Sequence, residues 1–150
     1  MPLASAVRES SWLFPTLETV HVAALAIVVG SIMLVDTRLL GLGSRSGAFT
    51  AIAREMLPWT WTGFVIASLA GSLMFASKAV TYAGNGPFRG KMLLLLLAGC
   101  NVMLFHWLGM RNVQQWDTRR PPVTARLAGA LSLLLWLGVL TTGRWIGFTT

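Results

Sequence analysis

Charged residues are scarce in this chain. They make up 11% of its 150 residues, where a soluble domain carries about 25%, and the mean hydropathy is +0.66. A soluble globular domain and a disordered chain are therefore both excluded. The single cysteine, Cys100, excludes an internal disulfide framework and a cysteine-rich zinc or iron–sulfur site. Two histidines and five acidic residues leave few side chains for chemistry.

Four long segments with almost no charge account for most of the sequence. We predict membrane spans at about residues 12–36, 59–80, 91–110 and 123–143, because a helix needs about 20 apolar residues to cross ~30 Å of hydrocarbon. The sequence therefore predicts an all-α polytopic membrane protein, a bundle of four transmembrane helices in one integral membrane domain. Residues 46–57 are predicted either as a short interfacial helix or as an irregular loop.

Basic residues outnumber acidic ones, and the net charge is +7. They flank the spans and form no single basic stripe, so we expect the lipid bilayer as partner and no nucleic acid. An even number of spans puts both termini on one side. By the positive-inside bias the side with more basic residues is cytoplasmic, so the termini lie outside. The terminal side holds Arg8, Lys78, Arg89, Lys91 and Arg144, and the opposite side holds Arg38, Arg45, Arg54, Arg111, Arg119, Arg120 and Arg126.

Both histidines lie inside predicted spans, where an ionisable side chain is costly and is a candidate functional residue. His21 is in the first span and His106 is near the far end of the third. Imidazole binds haem iron or copper and carries protons near neutral pH, so both are candidate metal and cofactor ligands. The alternative for each is a structural hydrogen bond. Lys78, Lys91 and Arg144 lie on the His21 side and would bind haem propionates or, with no cofactor, phospholipid headgroups.

Three further charged residues of the first span form a predicted polar network. Glu18, one helical turn before His21, would orient the imidazole or complement the helix dipole. Asp36 faces the bundle and would bond His106 or a cation, or else lie among the headgroups. Arg38 would extend its guanidinium to the membrane surface.

A haem shared by His21 and His106 is hard to reconcile with their depths. The predicted spans put the two histidines on the order of 13 Å apart along the membrane normal. Two axial nitrogens on one iron are only about 4 Å apart. Separate sites are the alternative, with His21 beside its neighbouring lysines and His106 near Asp36 and Trp59.

The second span also carries a face of small residues, which predicts close packing against another helix or a partner. Helical spacing relates Ser68, Gly71, Ser72 and Phe75, and Gly63 belongs to the same close-packing face.

Several segments resemble a family of uncharacterised bacterial inner-membrane proteins. They are residues 14–21 (FPTLETVH), 35–41 (VDTRLLG), 57–61 (LPWTW), 63–64 (GF), 82–91 (YAGNGPFRGK) and 105–106 (FH). The family is similar in layout to the copper-resistance D and cytochrome b-type membrane proteins, which carry histidines inside their helices. The resemblance implies a four-helix bundle in the bacterial inner (plasma) membrane, and with the charge bias it implies periplasmic termini. The matching positions are His21, Asp36, Arg38, Lys91 and His106.

Three functions are compatible with these residues. The first is a small haem-binding or redox subunit that holds haem b through His21, alone or with His106. The second is a non-catalytic transport or assembly subunit, in a homo-oligomer or a larger membrane complex, whose histidines and Asp36 form a polar network or a proton path. The third is a copper-handling protein. The sequence has no nucleophile elbow, phosphate-binding loop or zinc motif, so we expect no enzyme with chemistry of its own.

Overall fold

The computed structural model describes residue 7, residues 9–42 and residues 47–149, and within them it contains helices and no strand. Four segments are long and apolar enough to cross a membrane, so the predicted all-α membrane fold with four spanning helices is confirmed. The helices are α1 (Leu13–Leu39), α2 (Phe49–Ser77), α3 (Ala79–Gly84), α4 (Gly86–Leu108), α5 (Val113–Trp116) and α6 (Val123–Thr149). A 3-10 turn at Met110–Asn112 joins α4 to α5, and the third spanning segment is Gly86–Trp116.

The second spanning helix is longer than its apolar stretch. α2 begins at Phe49, so residues 49–57 are its first turns and form neither a separate interfacial helix nor a loop. Pro58 lies inside α2 and removes the backbone donor that would bond to the carbonyl of Arg54, an exposed residue. α2 ends at Ser77, and Lys78 separates it from the short helix α3.

The four spanning helices pack in the order α2, α1, α6, α4. α1 contacts α2 on one side and α6 on the other, and α6 contacts α4. The outer helices α2 and α4 approach each other through aromatic side chains near both ends. These are Phe49 on Phe105 at a ring distance of 6.0 Å and Phe75 on Phe88 at 5.3 Å. Between them α2 and α4 leave a slot, which is lined by Leu57 and Thr60 of α2 and by Asn101 and Val102 of α4.

Small residues bring α1 and α2 together. A Cβ atom on Gly63 would lie 2.9 Å from the Ala24 carbonyl oxygen and from Val28 Cγ2, so only glycine permits this approach. Ala67 and Ala70 of α2 are buried along the same contact. Ser68 and Ser72 are exposed, and of the face predicted from the sequence Gly63 and Gly71 lie against α1.

An apolar layer crosses the centre of the bundle. Its buried members come from α1, α4 and α6 and are Val28, Ala98, Leu135, Trp136 and Val139. A second cluster packs at the end where α1 finishes and α2 starts, and consists of Leu39, Phe49, Trp116 and Ala125. Polar groups of the bundle therefore lie on two sides of the central layer.

Both ends of the bundle are held by hydrogen bonds between elements distant in sequence. Arg38 is buried, and its guanidinium donates to the carbonyl oxygens of Gly47 and Asp117. At the other end, the Asn85 side chain accepts from the Phe88 amide, which caps α4, and donates to the Thr149 hydroxyl at 2.8 Å. These contacts fix the relative positions of α1, α2, α4 and α6.

Candidate functional site

His21 and Lys91 form a hydrogen-bonded pair inside the bundle. His21 Nδ1 lies 2.7 Å from the Ala67 carbonyl oxygen, which can only accept, so Nδ1 carries the proton of the neutral ring. The opposite nitrogen, Nε2, is then an acceptor and lies 3.3 Å from Lys91 Nζ. The pair thus joins α1 to α4, and through the Ala67 carbonyl to α2.

Two glycines make room for this pair. A Cβ atom on Gly71 would lie 3.0 Å from His21 Cε1, which is tighter than an ordinary contact. Gly71 follows Ala67 by one helical turn. Because Gly71 has no side chain, the imidazole can approach α2 closely enough to bond the Ala67 carbonyl. On α6, a Cβ atom on Gly143 would lie 3.6 Å from Lys91 Nζ, in ordinary contact. The ammonium is therefore half-buried between α1 and α6.

Glu18 and Tyr82 lie on the surface side of the pair. Glu18 is exposed, and its carboxylate interacts electrostatically with both His21 and Tyr82. Burial, and to a smaller extent the charge on Glu18, raises the pKa of the Tyr82 hydroxyl above its ordinary value of 10.0. The carboxylate of Glu18 and the hydroxyl of Tyr82 therefore lie between the pair and the terminal end of the bundle, which is the end where α1 starts and α6 finishes.

The other predicted cations of this side do not join the pair. Lys78 is exposed, with its ammonium 5.1 Å from the centre of the Phe14 ring. Arg144 is also exposed and lies 5.1 Å from the centre of the Phe148 ring. Of the five residues predicted to hold a cofactor, the structure brings together only His21 and Lys91.

His106 lies far from His21. It is exposed on α4 and makes no hydrogen bond with any residue that the structure describes. It follows Lys91 by 15 residues, a rise of about 22 Å along the helix, whereas Lys91 contacts His21 directly. The two imidazoles therefore cannot ligate one iron, whose axial nitrogens would be about 4 Å apart.

Asp36 forms a second polar site, on the opposite side of the apolar layer. It is 4% exposed, and the Ser132 side chain lies beside its carboxylate. One carboxylate oxygen, Oδ2, is buried and has no partner among the described residues. The side chain lines a cleft of about 180 Å³ that Thr60 and Asn101 also line, and that His106 does not.

The predicted network of Glu18, Asp36 and Arg38 is divided in the structure. Glu18 and Asp36 are 18 residues apart on α1, which is about 27 Å along the axis. Arg38 donates to backbone carbonyls, and its guanidinium is a neighbour of Asp117. Glu18 accompanies the Lys91–His21 pair, Asp36 lines the cleft, and Arg38 holds the end of the bundle.

Several residues that complete these sites are not among those predicted from the sequence. Gly71 belongs to the face of small residues predicted to pack, and it also sets the position of His21. Thr60, Asn101 and Ser132 line the cleft, and each is a polar residue in a charge-poor span. An asparagine inside a hydrophobic span indicates a polar contact within the bundle, because an amide without a hydrogen-bond partner in lipid is unfavourable.

His21 has some of the surroundings that a haem or a copper ion requires. His21 has the arrangement of a ligating histidine, with one ring nitrogen donating to a backbone carbonyl. Its other nitrogen already accepts from Lys91, so an ion there would have to displace the ammonium. Among residues 7, 9–42 and 47–149, no three His, Cys, Asp or Glu side chains come together as metal ligands. The described residues would therefore supply one ligand nitrogen, His21 Nε2, and not a complete ligand set.

Comparison with known proteins places this chain in a family. A model of a family of unknown function, DUF6644, matches residues 12–149. The chain belongs to this family. No curated protein and no solved structure matches it. The match spans both the Lys91–His21 pair and the Asp36 cleft, and it confirms the predicted membership of an uncharacterised family.

Proposed function

We propose that the protein is a non-catalytic transport subunit of a membrane complex, and that it takes up and passes on a proton at the Lys91–His21 pair. The observation that carries this proposal is the 3.3 Å contact between Lys91 Nζ and His21 Nε2 within a bundle of apolar helices. A charged side chain at membrane depth is expensive, and those found there commonly mark ion or proton pathways.

The geometry of the pair suits proton exchange. In its resting form the ammonium of Lys91 donates to the lone pair on Nε2 of His21. Transfer breaks an N–H bond on Nζ and forms one on Nε2, which leaves a neutral amine beside an imidazolium. The imidazolium keeps its second N–H on the Ala67 carbonyl oxygen, so the ring need not rotate during this step.

The surroundings give the pair access from one side. Exposed Glu18 lies one turn toward the terminal end of α1 and would stabilise an incoming proton. On the other side the apolar layer around Val28 begins about 10 Å along the helix from His21, and none of its members carries an ionisable side chain. The path through this chain is therefore incomplete, which favours a subunit of a larger assembly over an autonomous channel.

Nuclear magnetic resonance of histidine labelled with nitrogen-15, in lipid nanodiscs, tests this proposal. The His21 signals are expected to change with bulk pH as the imidazole takes up its second ring proton. Lys91→Met should move the midpoint of that titration. The matched control, Lys78→Met, removes an exposed ammonium at the same end that does not bond His21, and should leave it unchanged. If the chemical shifts of His21 in the unmodified protein do not change with pH, the proposal is contradicted.

A haem-binding redox subunit is the second candidate function. It is favoured by the hydrogen bond from His21 Nδ1 to a backbone carbonyl, which leaves Nε2 as the ligand atom. When bound, a haem would supply one-electron chemistry, and Lys91 would have to turn from Nε2 toward the propionates. An absorption spectrum of protein purified with an adequate haem supply tests this candidate. A Soret band lost in His21→Ala supports it, and a featureless spectrum of folded protein excludes it.

A further inference from the structure

The cleft beside Asp36 combines a polar floor with apolar walls. Asp36, Thr60, Asn101 and Ser132 supply polar groups from α1, α2, α4 and α6, so all four spanning helices contribute. The walls are aliphatic and aromatic, and Phe105 supplies a ring. This composition is typical of small-molecule sites, where apolar surface gives affinity and a few polar groups fix the orientation.

The polar groups of the floor are free to accept hydrogen bonds. Asp36 Oδ2 is buried without a partner among the described residues. The Asn101 amide nitrogen donates to the Ala128 carbonyl oxygen at 3.0 Å, which leaves its side-chain oxygen as an acceptor. The Thr60 hydroxyl has lone pairs beyond its contacts with Ser31 and the Met56 carbonyl. The floor therefore offers several oxygens to one donor-rich group.

No cation faces this carboxylate from the described helices around it. The closest in sequence, Arg38, directs its guanidinium to the Gly47 and Asp117 carbonyl oxygens. Asp36 is 4% exposed, so it has little access to water in place of a partner. A buried carboxylate without a counter-charge is strongly unfavourable, and this is the condition that a bound cation would relieve.

We propose that the Asp36 cleft binds a small organic ammonium ion with an apolar body. The three N–H donors of a primary ammonium suit the oxygen acceptors of Asp36, Asn101 and Thr60, which line the same cleft. The apolar walls receive its hydrocarbon part, and the Phe105 ring can lie against the cation. A hard metal cation fits less well, because the floor offers one carboxylate and few further oxygens, where such ions take about six.

The cleft opens toward the bilayer, which sets the route of the ligand. Leu57 of α2 and Val102 of α4 line it and are each 56% exposed, on the two helices that leave a slot between them. A molecule that partitions into the membrane, with an ammonium head and an apolar body, could enter sideways through this slot. This inference rests on Asp36 and is independent of the Lys91–His21 pair beyond the apolar layer.

Calorimetric titration of the nanodisc-embedded protein with benzylammonium tests the proposal. We expect saturable binding with one ion per chain, and no displacement by benzyl alcohol, which lacks the charge. Asp36→Asn should weaken binding by about tenfold or more, because a charge-assisted hydrogen bond is lost while the shape of the side chain is kept. The matched control, Glu55→Gln, removes an exposed carboxylate of α2 outside the cleft and should leave the affinity unchanged.

A second variant covers the case in which Asp36→Asn does not fold, as judged by its helical circular dichroism. Thr60→Val replaces the hydroxyl with a methyl group of similar size and should also weaken benzylammonium binding. Binding that is absent, or equal in the unmodified protein and in the cleft variants, would overturn the proposal. Binding of radioactive sodium that requires Asp36, without binding of benzylammonium, would overturn it too, because the site would then belong to a metal cation.

Discussion

Tyr82 is the single tyrosine of the chain, so its ionisation can be followed without interference from another phenol. Burial raises the pKa of its hydroxyl, and the nearby negative charge of Glu18 raises it further. We expect the tyrosinate absorbance to develop above the ordinary pKa of 10.0. Glu18→Gln should lower the midpoint of this titration without restoring the ordinary value, because burial is the larger cause.

The matched control for Tyr82 is Glu9→Gln, which removes another exposed carboxylate near the start of α1. Glu9→Gln should leave the midpoint of the Tyr82 titration unchanged. If Glu18→Gln gives the same midpoint as the unmodified protein, Glu18 does not face Tyr82, and the proposed access of protons to His21 through this carboxylate loses its basis.

Gly71 and Gly143 make different contacts with the Lys91–His21 pair, and this difference is testable. An added Cβ at Gly71 would press on the imidazole at 3.0 Å, whereas one at Gly143 would touch Lys91 at 3.6 Å. We expect Gly71→Ala to destabilise the protein by about 1–3 kcal/mol, as overpacking does. Gly143→Ala should be neutral or slightly stabilising, because alanine favours a helix by roughly 0.5–1 kcal/mol over glycine.

Thermal unfolding in detergent measures both glycine variants, and the nitrogen-15 signal of the His21 Nδ1–H reports the bond to Ala67. Gly71→Ala should perturb that signal, and Gly143→Ala should preserve it. Equal unfolding temperatures for the two variants would contradict the close approach of His21 to α2.

Individual residues of these sites can be predicted from the sequence, but their partners cannot. His21, Lys91 and Asp36 stand out because they are ionisable residues near or inside charge-poor spans. The partner of each could not be predicted, because it depends on how the helices are rotated about their axes. That rotation follows from contacts such as Gly63 against Ala24, which only the packed structure shows.

The start of α2 depends on a residue far along the chain. The Asp117 carboxylate accepts from the Thr50 amide at 2.8 Å and from the Thr50 hydroxyl at 2.7 Å, and its carbonyl accepts from the Phe49 amide. These bonds satisfy donors of the first helical turn, as a capping residue would. They explain why the helix begins before Pro58. A cap supplied across 67 residues has no local sequence signature.

Removal of this cap should destabilise the protein in a pH-dependent way. Asp117→Ala is expected to lower the free energy of unfolding by about 1 kcal/mol near neutral pH. The hydrogen bonds with Thr50, aided by Arg38, lower the pKa of the Asp117 carboxyl below its ordinary value of 3.8. The contribution is therefore complete above about pH 4 and is lost as the pH falls through the lower pKa of the folded state.

Denaturant unfolding at neutral pH and at about pH 3 measures this effect. The difference between the unmodified protein and Asp117→Ala should shrink at the lower pH. Asp117→Asn, which keeps an acceptor but not the charge, should retain part of the stability. A difference that grows on acidification would contradict the assignment of the charged carboxylate as the cap.

The molecule as a whole places its two polar sites on opposite sides of an apolar layer. The Lys91–His21 pair lies toward the terminal end, and the Asp36 cleft lies toward the end held by Arg38. The layer around Val28 separates them. The pair is accessible from one membrane surface, whereas the cleft opens sideways to lipid. The two sites do not contact each other and would therefore bind different ligands.

The structure also refines the charge count that orients the molecule. Lys91 and Arg38 have partners inside the fold, so neither is a loop charge. Arg8 and Arg45 lie outside the described residues. The described exposed cations are Lys78, Arg89 and Arg144 on the terminal side, and Arg54, Arg111, Arg119, Arg120 and Arg126 on the opposite side.

We therefore predict that the termini face away from the cytoplasm, because the side opposite them carries more exposed basic residues. In a bacterial host, alkaline phosphatase fused after Thr149 should be active, since the enzyme matures only outside the cytoplasm. The same enzyme fused after Thr118, in the loop before α6, should be inactive. A fluorescent protein that matures in the cytoplasm should give the reverse pattern at both positions. Activity only in the Thr118 fusion would place Glu18 on the cytoplasmic side, and protons would then reach His21 from the cytoplasm.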